Sequence, residues 1–175
     1  MNTLDSIKNR KSTRSYTDEQ ITDEALDIIL KAGCAAPVGM ARYDAIQLSV
    51  VQDDDIMKKV ASAVGDLTEQ LMGKRVEMAF GFKTTIVISS EPSKMVGTDY
   101  INAGCIAENM LLAAEDQGIA SLIWQAGSGA IARNEELKKA IGIPEGYIPL
   151  VCVSFGYAKN DEAPKKHEIA INYVR

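Results

Sequence analysis

The sequence is poor in residues that build metal or disulfide sites. Its three cysteines, Cys34, Cys105 and Cys152, form no C-x-x-C pair, and His167 is its only histidine. These counts argue against a disulfide framework and a multi-histidine zinc site, so no metal is expected. We expect the cysteines to be small buried hydrophobes, because no spacing singles out a cysteine–histidine pair for nucleophilic catalysis. Any redox chemistry would therefore depend on a bound cofactor.

Long apolar runs and an excess of positive charge are also missing. The chain has 175 residues, with 19 basic against 24 acidic side chains and a formal net charge of −5. A nucleic-acid surface is not expected, because binding phosphates needs an excess of cations. No run of about 18 apolar residues is present, so no membrane span is expected. The N-terminus lacks the basic and apolar blocks of a secretory signal, and we expect a cytoplasmic protein with one domain over 1–175.

Hydrophobic periodicity predicts alternating helices and strands. The predicted helices lie at 4–9, after Thr22, at 53–77, at 99–116 and after Asn134, and the predicted strands at 46–50, 84–88, 119–124, 150–155 and 169–173. The connections vary too much for a regular βαβ repeat, which favours an α+β domain with helices packed on a mixed sheet. The helix at 99–116 has almost no polar face, so we expect it at the centre of the domain or in a subunit interface.

Two early segments have the chemistry of ligand sites. Arg10-Lys11-Ser12-Thr13-Arg14 offers three cations and two hydroxyls, a set that suits a phosphate dianion. Cations at the end of a short helix also offset its dipole, so a purely structural role fits as well. The uncharged segment 35–40 contains a Pro-x-Gly turn, which a flat ligand could approach closely. It fits an ordinary helix-ending turn equally well.

Two later segments could complete such a site. Residues 124–129 are predicted to form the end of a strand and a following loop of small residues. Free N–H groups in such a loop could bind the edge of a heteroaromatic ring or an anion. This loop does not match the dinucleotide fingerprint G-x-G-x-x-G, and a P-loop is absent too. Pro164-Lys165-Lys166-His167 forms a late basic patch. It either returns to the phosphate held by the early cations or lies in solvent as a charged tail.

Taken together and in this order, the segments resemble the nitroreductase family of flavoproteins. The most specific pieces are R-x-S-x-R at 10–14 and E-N-x-x-L-A-A-x-x-x-G-I at 108–119, with Ala-Pro at 36–37 and Gly-Tyr at 156–157 in support. The resemblance covers nearly the whole chain. It implies an α+β three-layer fold, with helices packed around a mixed, mostly antiparallel sheet of about five strands. It also implies an intertwined homodimer with FMN at the subunit interface.

The resemblance further implies which residues contact FMN. The contacts to its phosphate and ribityl chain would be Arg10, Lys11, Ser12 and Arg14, with a second phosphate contact from Lys165 or Lys166. The backbone N–H groups near the N5 and O4 edge of the flavin would be those of Ala126 and Gly127. The partner subunit would contribute Pro37, Val38 and Gly39. No side chain is assigned a catalytic role, because water or the flavin can supply protons.

The implied activity is the use of NADH or NADPH to reduce a small acceptor, such as a nitroaromatic or a quinone, in ping-pong exchange. The chain departs from the family after Ala-Pro, where the family usually continues Ser-x-x-Asn-x-Gln-Pro-Trp and this chain has Val38-Gly39-Met40-Ala41-Arg42-Tyr43-Asp44-Ala45. This departure favours, as an alternative, a flavin-binding protein with little turnover that serves storage, sensing or regulation. A third alternative is a homodimeric interaction protein that has lost the cofactor. The candidate ring contacts before the second strand are Lys74, Glu77 and Lys83.

Overall fold

The computed structural model describes residues 2–76, 78, 80–160, 163–164 and 167–175. The helices are α1 (Thr3–Asn9), α2 (Asp23–Cys34), α3 (Asp54–Met72), α4 (Thr98–Asp116), α5 (Gln125–Ile131) and α6 (Glu135–Ile141). The strands are β1 (Ile46–Val51), β2 (Thr84–Ser90), β3 (Ala120–Trp124) and β4 (Ile148–Gly156). Two short 3₁₀ turns, Gly39–Ala41 and Tyr43–Ala45, connect α2 to β1.

The four strands form one antiparallel sheet in the order β1-β2-β4-β3. β2 and β4 are central, and every residue of β2 is buried, as expected for a strand that is covered on both faces. A parallel pairing occurs at the isolated bridge between Ser12 and Ser121, beside β3. The predicted α+β class is confirmed.

The sheet has four strands rather than the expected five. Residues 167–175 form no strand in the structure, although Ile169, Ile171 and Tyr173 alternate along the segment. All three side chains are largely exposed. A strand is stable only when it pairs with a neighbour and buries one face, and this segment pairs with no described strand of its own chain. The prediction of a strand at 169–173 is therefore wrong for the single chain.

Two apolar cores lie on opposite faces of the sheet. α2 and α4 pack on one face, where Ile29, Met110 and Val153 are fully buried. α3, α5 and α6 pack on the other face, around Val64 and Cys152. Neighbouring residues of β4 thus point into different cores, as the alternation of side chains along a strand requires. The result is three layers, with helices on both sides of the sheet.

The ends of the helices follow capping residues. α2 begins after Thr22, whose hydroxyl accepts a backbone N–H at 3.2 Å, as predicted. α1 begins earlier than expected, because Asn2 rather than Thr3 is its N-cap and accepts a backbone N–H at 3.0 Å. α3 ends before the expected Glu77, because Gly73 takes the left-handed conformation (φ 68°) that ends helices.

The three cysteines differ in their burial. Cys152 is fully buried, Cys105 is half-buried, and Cys34 is exposed at the end of α2. The expectation of a small buried hydrophobe is therefore correct for Cys152 and wrong for Cys34.

Only one side of the apolar helix α4 is buried within the chain. Met110 packs on α2, and a Cβ at Gly33 would overlap its side chain, so glycine permits this close approach. On another side of α4, Tyr100 and Ile101 are 58% and 67% exposed. The exposed side agrees with the expectation that α4 contributes to a subunit interface. Among the described residues, none of the helices is long and apolar enough to cross a membrane.

Candidate functional site

A cationic cleft of about 460 Å³ lies at the free edge of β3. Segment 10–15 runs beside this edge, because the Thr13 N–H donates to the Ser121 carbonyl oxygen at 3.0 Å. The described residues that line the cleft are Arg10, Lys11, Ser12, Thr13, Arg14, Ser15, Asn160, Ala163 and His167. The structure therefore brings the first four predicted contacts, Arg10, Lys11, Ser12 and Arg14, into one site.

Positive charge dominates the cleft, since none of its described lining residues is acidic. The Arg10 Nε atom lies 3.6 Å from Oε1 of Glu108 on α4, which orients this guanidinium. Arg14 is exposed, and no carboxylate in the described ranges pairs with it. Arginine offers a planar fork of N–H donors that matches the oxygens of phosphate or carboxylate. The cleft therefore has the donor set of an anion site.

The wall of the cleft contains a polar group without a partner. The Thr13 hydroxyl is buried and forms no hydrogen bond with any described residue. A buried hydroxyl in this state costs about 1–3 kcal/mol. The Tyr16 hydroxyl also lacks a partner, and burial raises the pKa of this phenol, so it stays protonated. Of these two residues, Thr13 lines the cleft, with its hydroxyl buried in the wall rather than facing the cleft.

The predicted small-residue loop after β3 is in fact the helix α5. A Cβ at Gly127 would lie 2.8 Å from the Trp124 ring and 3.0 Å from the Cys152 Sγ atom, so glycine here permits close packing of α5 on the sheet. Trp124 provides no side-chain cap, and the first N–H groups of a helix have no acceptor within it. The backbone N–H groups of Ala126 and Gly127 lie at these first positions of α5, and Gly127 itself is buried.

The strand β3 connects the cationic cleft with the start of α5. Ser121 holds the basic segment near the beginning of β3, and Trp124 ends the strand directly before α5. At about 3.3 Å per residue, these two positions are about 10 Å apart. A ligand with an anionic group at one end and a polar ring edge at the other could therefore contact both sets of donors.

The predicted contacts Pro37-Val38-Gly39 lie elsewhere in the chain. They belong to the connection between α2 and β1 and do not line the cationic cleft. The Gly39 N–H donates to the Asn102 Oδ1 atom on α4 at 2.9 Å. Met40 and Ala41 follow with φ values of 57° and 52°, a left-handed conformation that costs about 1–2 kcal/mol for each non-glycine residue. A single chain therefore does not bring this segment into the cleft.

The late basic patch is only partly described. Lys165 and Lys166 lie outside the described residues, as does Glu77. Their neighbour His167 lines the cationic cleft, so the C-terminal end of the late basic patch lies close to segment 10–15. Lys83 pairs with the Asp54 carboxylate at 3.1 Å and lines a separate cleft of about 200 Å³.

Five polar residues at these sites were not among the predicted contacts: Thr13, Ser15, Asn102, Asn160 and His167. Thr13 and His167 stand within segments that the sequence singled out, so local pattern could have found them. Asn102 and Gly39 are 63 residues apart, and no local pattern indicates that they meet. The described residues contain no group of three or more His, Cys, Asp and Glu side chains that could hold a metal ion.

Comparison with known proteins decides the family. The family model described as "Nitroreductase family" matches residues 7–157. The chain belongs to the nitroreductase family. This match confirms the resemblance found in the sequence. The matched range 7–157 contains all the residues predicted to contact FMN except Lys165 and Lys166.

Known proteins named nitroreductase or FMN reductase resemble this chain over most of its length. A nitroreductase with bound FMN from Desulfitobacterium hafniense DCB-2 matches with a TM-score of 0.86 and 28% identity, covering 100% of both chains. A protein of Archaeoglobus fulgidus, whose name includes "NAD(P)H nitroreductase", is 32% identical over 162 residues, which cover 91% of this chain and 87% of its own length. The FMN reductase (NADPH) of Bacillus subtilis is 25% identical over 172 residues, covering 91% of this chain and 67% of its own. The predicted nitroreductase fold is confirmed.

Proposed function

We propose that this nitroreductase-family protein is an FMN-dependent oxidoreductase. It uses NAD(P)H to reduce small electron acceptors, such as nitroaromatics or quinones, by ping-pong exchange. The observation that carries the proposal is the cationic cleft lined by Arg10, Lys11 and Arg14, which lies along the same strand β3 that leads into the start of α5. The Desulfitobacterium relative has bound FMN, and the Bacillus relative is an FMN reductase (NADPH), which supports the cofactor and the electron donor.

The residues of the cleft fit the phosphate and ribityl chain of FMN. The proposed contacts are Arg10, Lys11, Ser12 and Arg14, with Lys165 or Lys166 as a second phosphate contact. The arginines supply charged N–H donors, and charged hydrogen bonds are stronger than neutral ones. FMN binding would therefore neutralise these cations. The Thr13 hydroxyl is buried in the wall of the cleft and is not assigned to the ligand.

The start of α5 fits the polar edge of the flavin ring. When bound, FMN supplies the two-electron transfer between the nicotinamide and the acceptor. The N–H groups of Ala126 and Gly127 point from a helix N-terminus, where the dipole favours negative charge. In a complex with FMN they would stabilise negative charge on the N5 and O4 edge of the ring, without reorganisation because the helix holds them in place.

We infer that the protein is a homodimer in which each subunit completes the site of the other. Pro37-Val38-Gly39 does not line the cleft of its own chain, so its proposed contact with the flavin needs a second subunit. Exposed apolar side chains support such an interface, since Ile101 on α4 is 67% exposed and Val174 near the C-terminus is 92% exposed. Residues 1–175 are proposed to form one FMN-binding domain. The cytoplasmic location stays a prediction.

Steady-state oxidation of NADH and NADPH by the FMN-loaded protein, with a quinone as acceptor, tests the proposal. We expect a yellow protein whose oxidation of NAD(P)H requires both FMN and the acceptor, with parallel double-reciprocal lines. Tight FMN binding without NAD(P)H oxidation would contradict the activity and favour a flavin-binding protein with little turnover. A colourless protein that takes up no FMN would contradict the whole proposal and favour an interaction protein.

A further inference from the structure

A buried side chain of α4 holds the connection between α2 and β1. Asn102 is only 9% exposed, and its Oδ1 atom accepts the Gly39 N–H at 2.9 Å. Gly39 lies close against the start of α4, since a Cβ there would come within 3.2 Å of Thr98 Cγ2 and 3.5 Å of the Asn102 Oδ1 atom. The contact therefore fixes the backbone at Gly39 relative to α4.

The residues that follow Gly39 show why such a fixed point is needed. Met40 and Ala41 both have left-handed backbone conformations, with φ values of 57° and 52°. Non-glycine residues keep this conformation only where surrounding contacts impose it. The Met40 side chain is 65% exposed, so its own packing supplies little of that constraint. The Gly39–Asn102 hydrogen bond before this pair and the backbone hydrogen bond of 3.0 Å from the Ala41 N–H to the Val38 carbonyl oxygen supply it instead.

We propose that Asn102 is a positioning residue that fixes Pro37-Val38-Gly39 of one subunit so that this segment completes the FMN site of the other. The inference rests on the proposed function, because it assumes that FMN binds between two subunits. Asn102 touches neither the cofactor nor a substrate in this account and acts only through Gly39. Its oxygen is the group that matters, because it accepts the Gly39 N–H from within the buried side chain and so fixes the position of this backbone segment.

Two substitutions separate the oxygen from the size of the side chain. Asn102→Leu keeps the approximate volume but removes the acceptor, whereas Asn102→Asp keeps an oxygen at the same position. We expect Asn102→Leu to weaken FMN binding to the apoprotein about tenfold, as the loss of a buried hydrogen bond predicts. Asn102→Asp should stay within about threefold of wild type. The readouts are fluorescence titration with FMN, thermal unfolding and the mass of each apoprotein, so loss of folding or of the dimer is detected separately.

A mixed dimer tests whether Asn102 acts across the interface. One subunit has Asn102→Leu and the other Arg14→Ala, with different affinity tags for purification of the heterodimer. If Asn102 acts on the partner's site, one site has both an intact Arg14 and an intact Gly39 segment, and the heterodimer binds one FMN with wild-type affinity. If it acts within its own chain, both sites are damaged.

The outcomes are distinct. Two results would overturn the role of Asn102: a heterodimer without a site of wild-type affinity, or unchanged FMN affinity in Asn102→Leu. The proposed function would still stand in either case, provided that the wild-type protein binds FMN. Equal losses in Asn102→Leu and Asn102→Asp would overturn the role of the oxygen. Wild-type protein that binds no FMN would overturn the proposed function and this inference together.

Discussion

The Arg10 Nε atom lies 3.6 Å from the Glu108 Oε1 atom, which ties the end of α1 to the middle of α4. The two side chains are 27% and 50% exposed, and ion pairs at such positions contribute about 0–1 kcal/mol. The pair therefore adds little to stability. It occupies only one of the guanidinium nitrogens, so Arg10 keeps further N–H donors for an anion.

Arg10 and Arg14 should dominate the binding of the FMN phosphate. We expect Arg10→Ala and Arg14→Ala each to weaken FMN binding at least about tenfold, because a charged hydrogen bond contributes about 1.5–3 kcal/mol. Glu108→Gln should change the affinity less than about threefold, since it removes only an exposed pair. Fluorescence titration of the apoproteins with FMN measures these differences.

Lys31→Ala is the matched control for charge. Lys31 is an exposed cation on α2 that pairs with Asp27 at 2.6 Å and does not line the cleft. Its removal should change FMN affinity less than about twofold at physiological salt, where distant exposed charges are screened. Unchanged affinity in both arginine variants would remove the assignment of the phosphate site.

Thr13→Val should stabilise the apoprotein and leave FMN binding nearly unchanged. Valine has nearly the same shape and lacks the unpartnered hydroxyl, so the apoprotein should be as stable as wild type or more stable, by up to about 1–3 kcal/mol. FMN affinity should change little, because the Thr13 hydroxyl is buried in the wall of the cleft and does not face the ligand. Thermal unfolding and FMN titration give the two numbers.

Thr68→Val provides the comparison for Thr13→Val. The Thr68 hydroxyl is also buried, but it donates to the Gly65 carbonyl oxygen at 2.9 Å and accepts the Val76 N–H at 2.8 Å. Its removal should destabilise the protein by about 1–3 kcal/mol, because a buried N–H then loses its acceptor. If Thr13→Val destabilised the apoprotein as much as Thr68→Val, the Thr13 hydroxyl would have a partner after all.

The exposed side of α4 should mediate the dimer. Ile101→Glu places a charge on this side, where a subunit interface would bury it unpaired, so we expect a monomer with weakened FMN binding. Leu71→Glu is the control, because Leu71 on α3 is 70% exposed against 67% for Ile101 and lies in the opposite helical layer. Light scattering after size exclusion should find Leu71→Glu dimeric, and a dimeric Ile101→Glu would place the interface elsewhere.

The cysteines should differ in reactivity. Cys34 is exposed and should react quickly with Ellman's reagent in the native protein. Cys152 is fully buried, and burial raises the pKa of its thiol, so little nucleophilic thiolate forms near neutral pH. Cys152 should react only after unfolding. Rapid modification of Cys152 in the native state, located by mass spectrometry, would contradict the placement of β4 at the centre of the sheet.

Features set by local sequence could be predicted. Thr22 precedes α2 because a hydroxyl at that position caps the first turn, and β4 is apolar on both faces because it is central in the sheet. The cations of segment 10–15 share one cleft because they are neighbours in the chain. These signals were sufficient for the fold class and for one end of the candidate site.

Features set by contacts between distant segments could not be predicted. In the sequence, Gly127 indicated a loop. In the structure, the absence of a Cβ at Gly127 allows α5 to pack closely against Trp124 and Cys152. The alternation at 169–173 has the period of a strand, yet pairing requires a neighbour that the described part of the chain does not provide. The bond between Gly39 and Asn102 depends on how α4 crosses the connection between α2 and β1.

A crystal structure of the complex with FMN would show the shared site itself. We expect a phosphate within hydrogen-bond distance of Arg10 and Arg14 of one subunit, and a ring edge at the Ala126 N–H of that subunit. We also expect that the Pro37-Val38-Gly39 segment next to the ring comes from the other subunit. A phosphate bound away from both arginines, or a monomer whose single chain supplies every contact, would contradict the account.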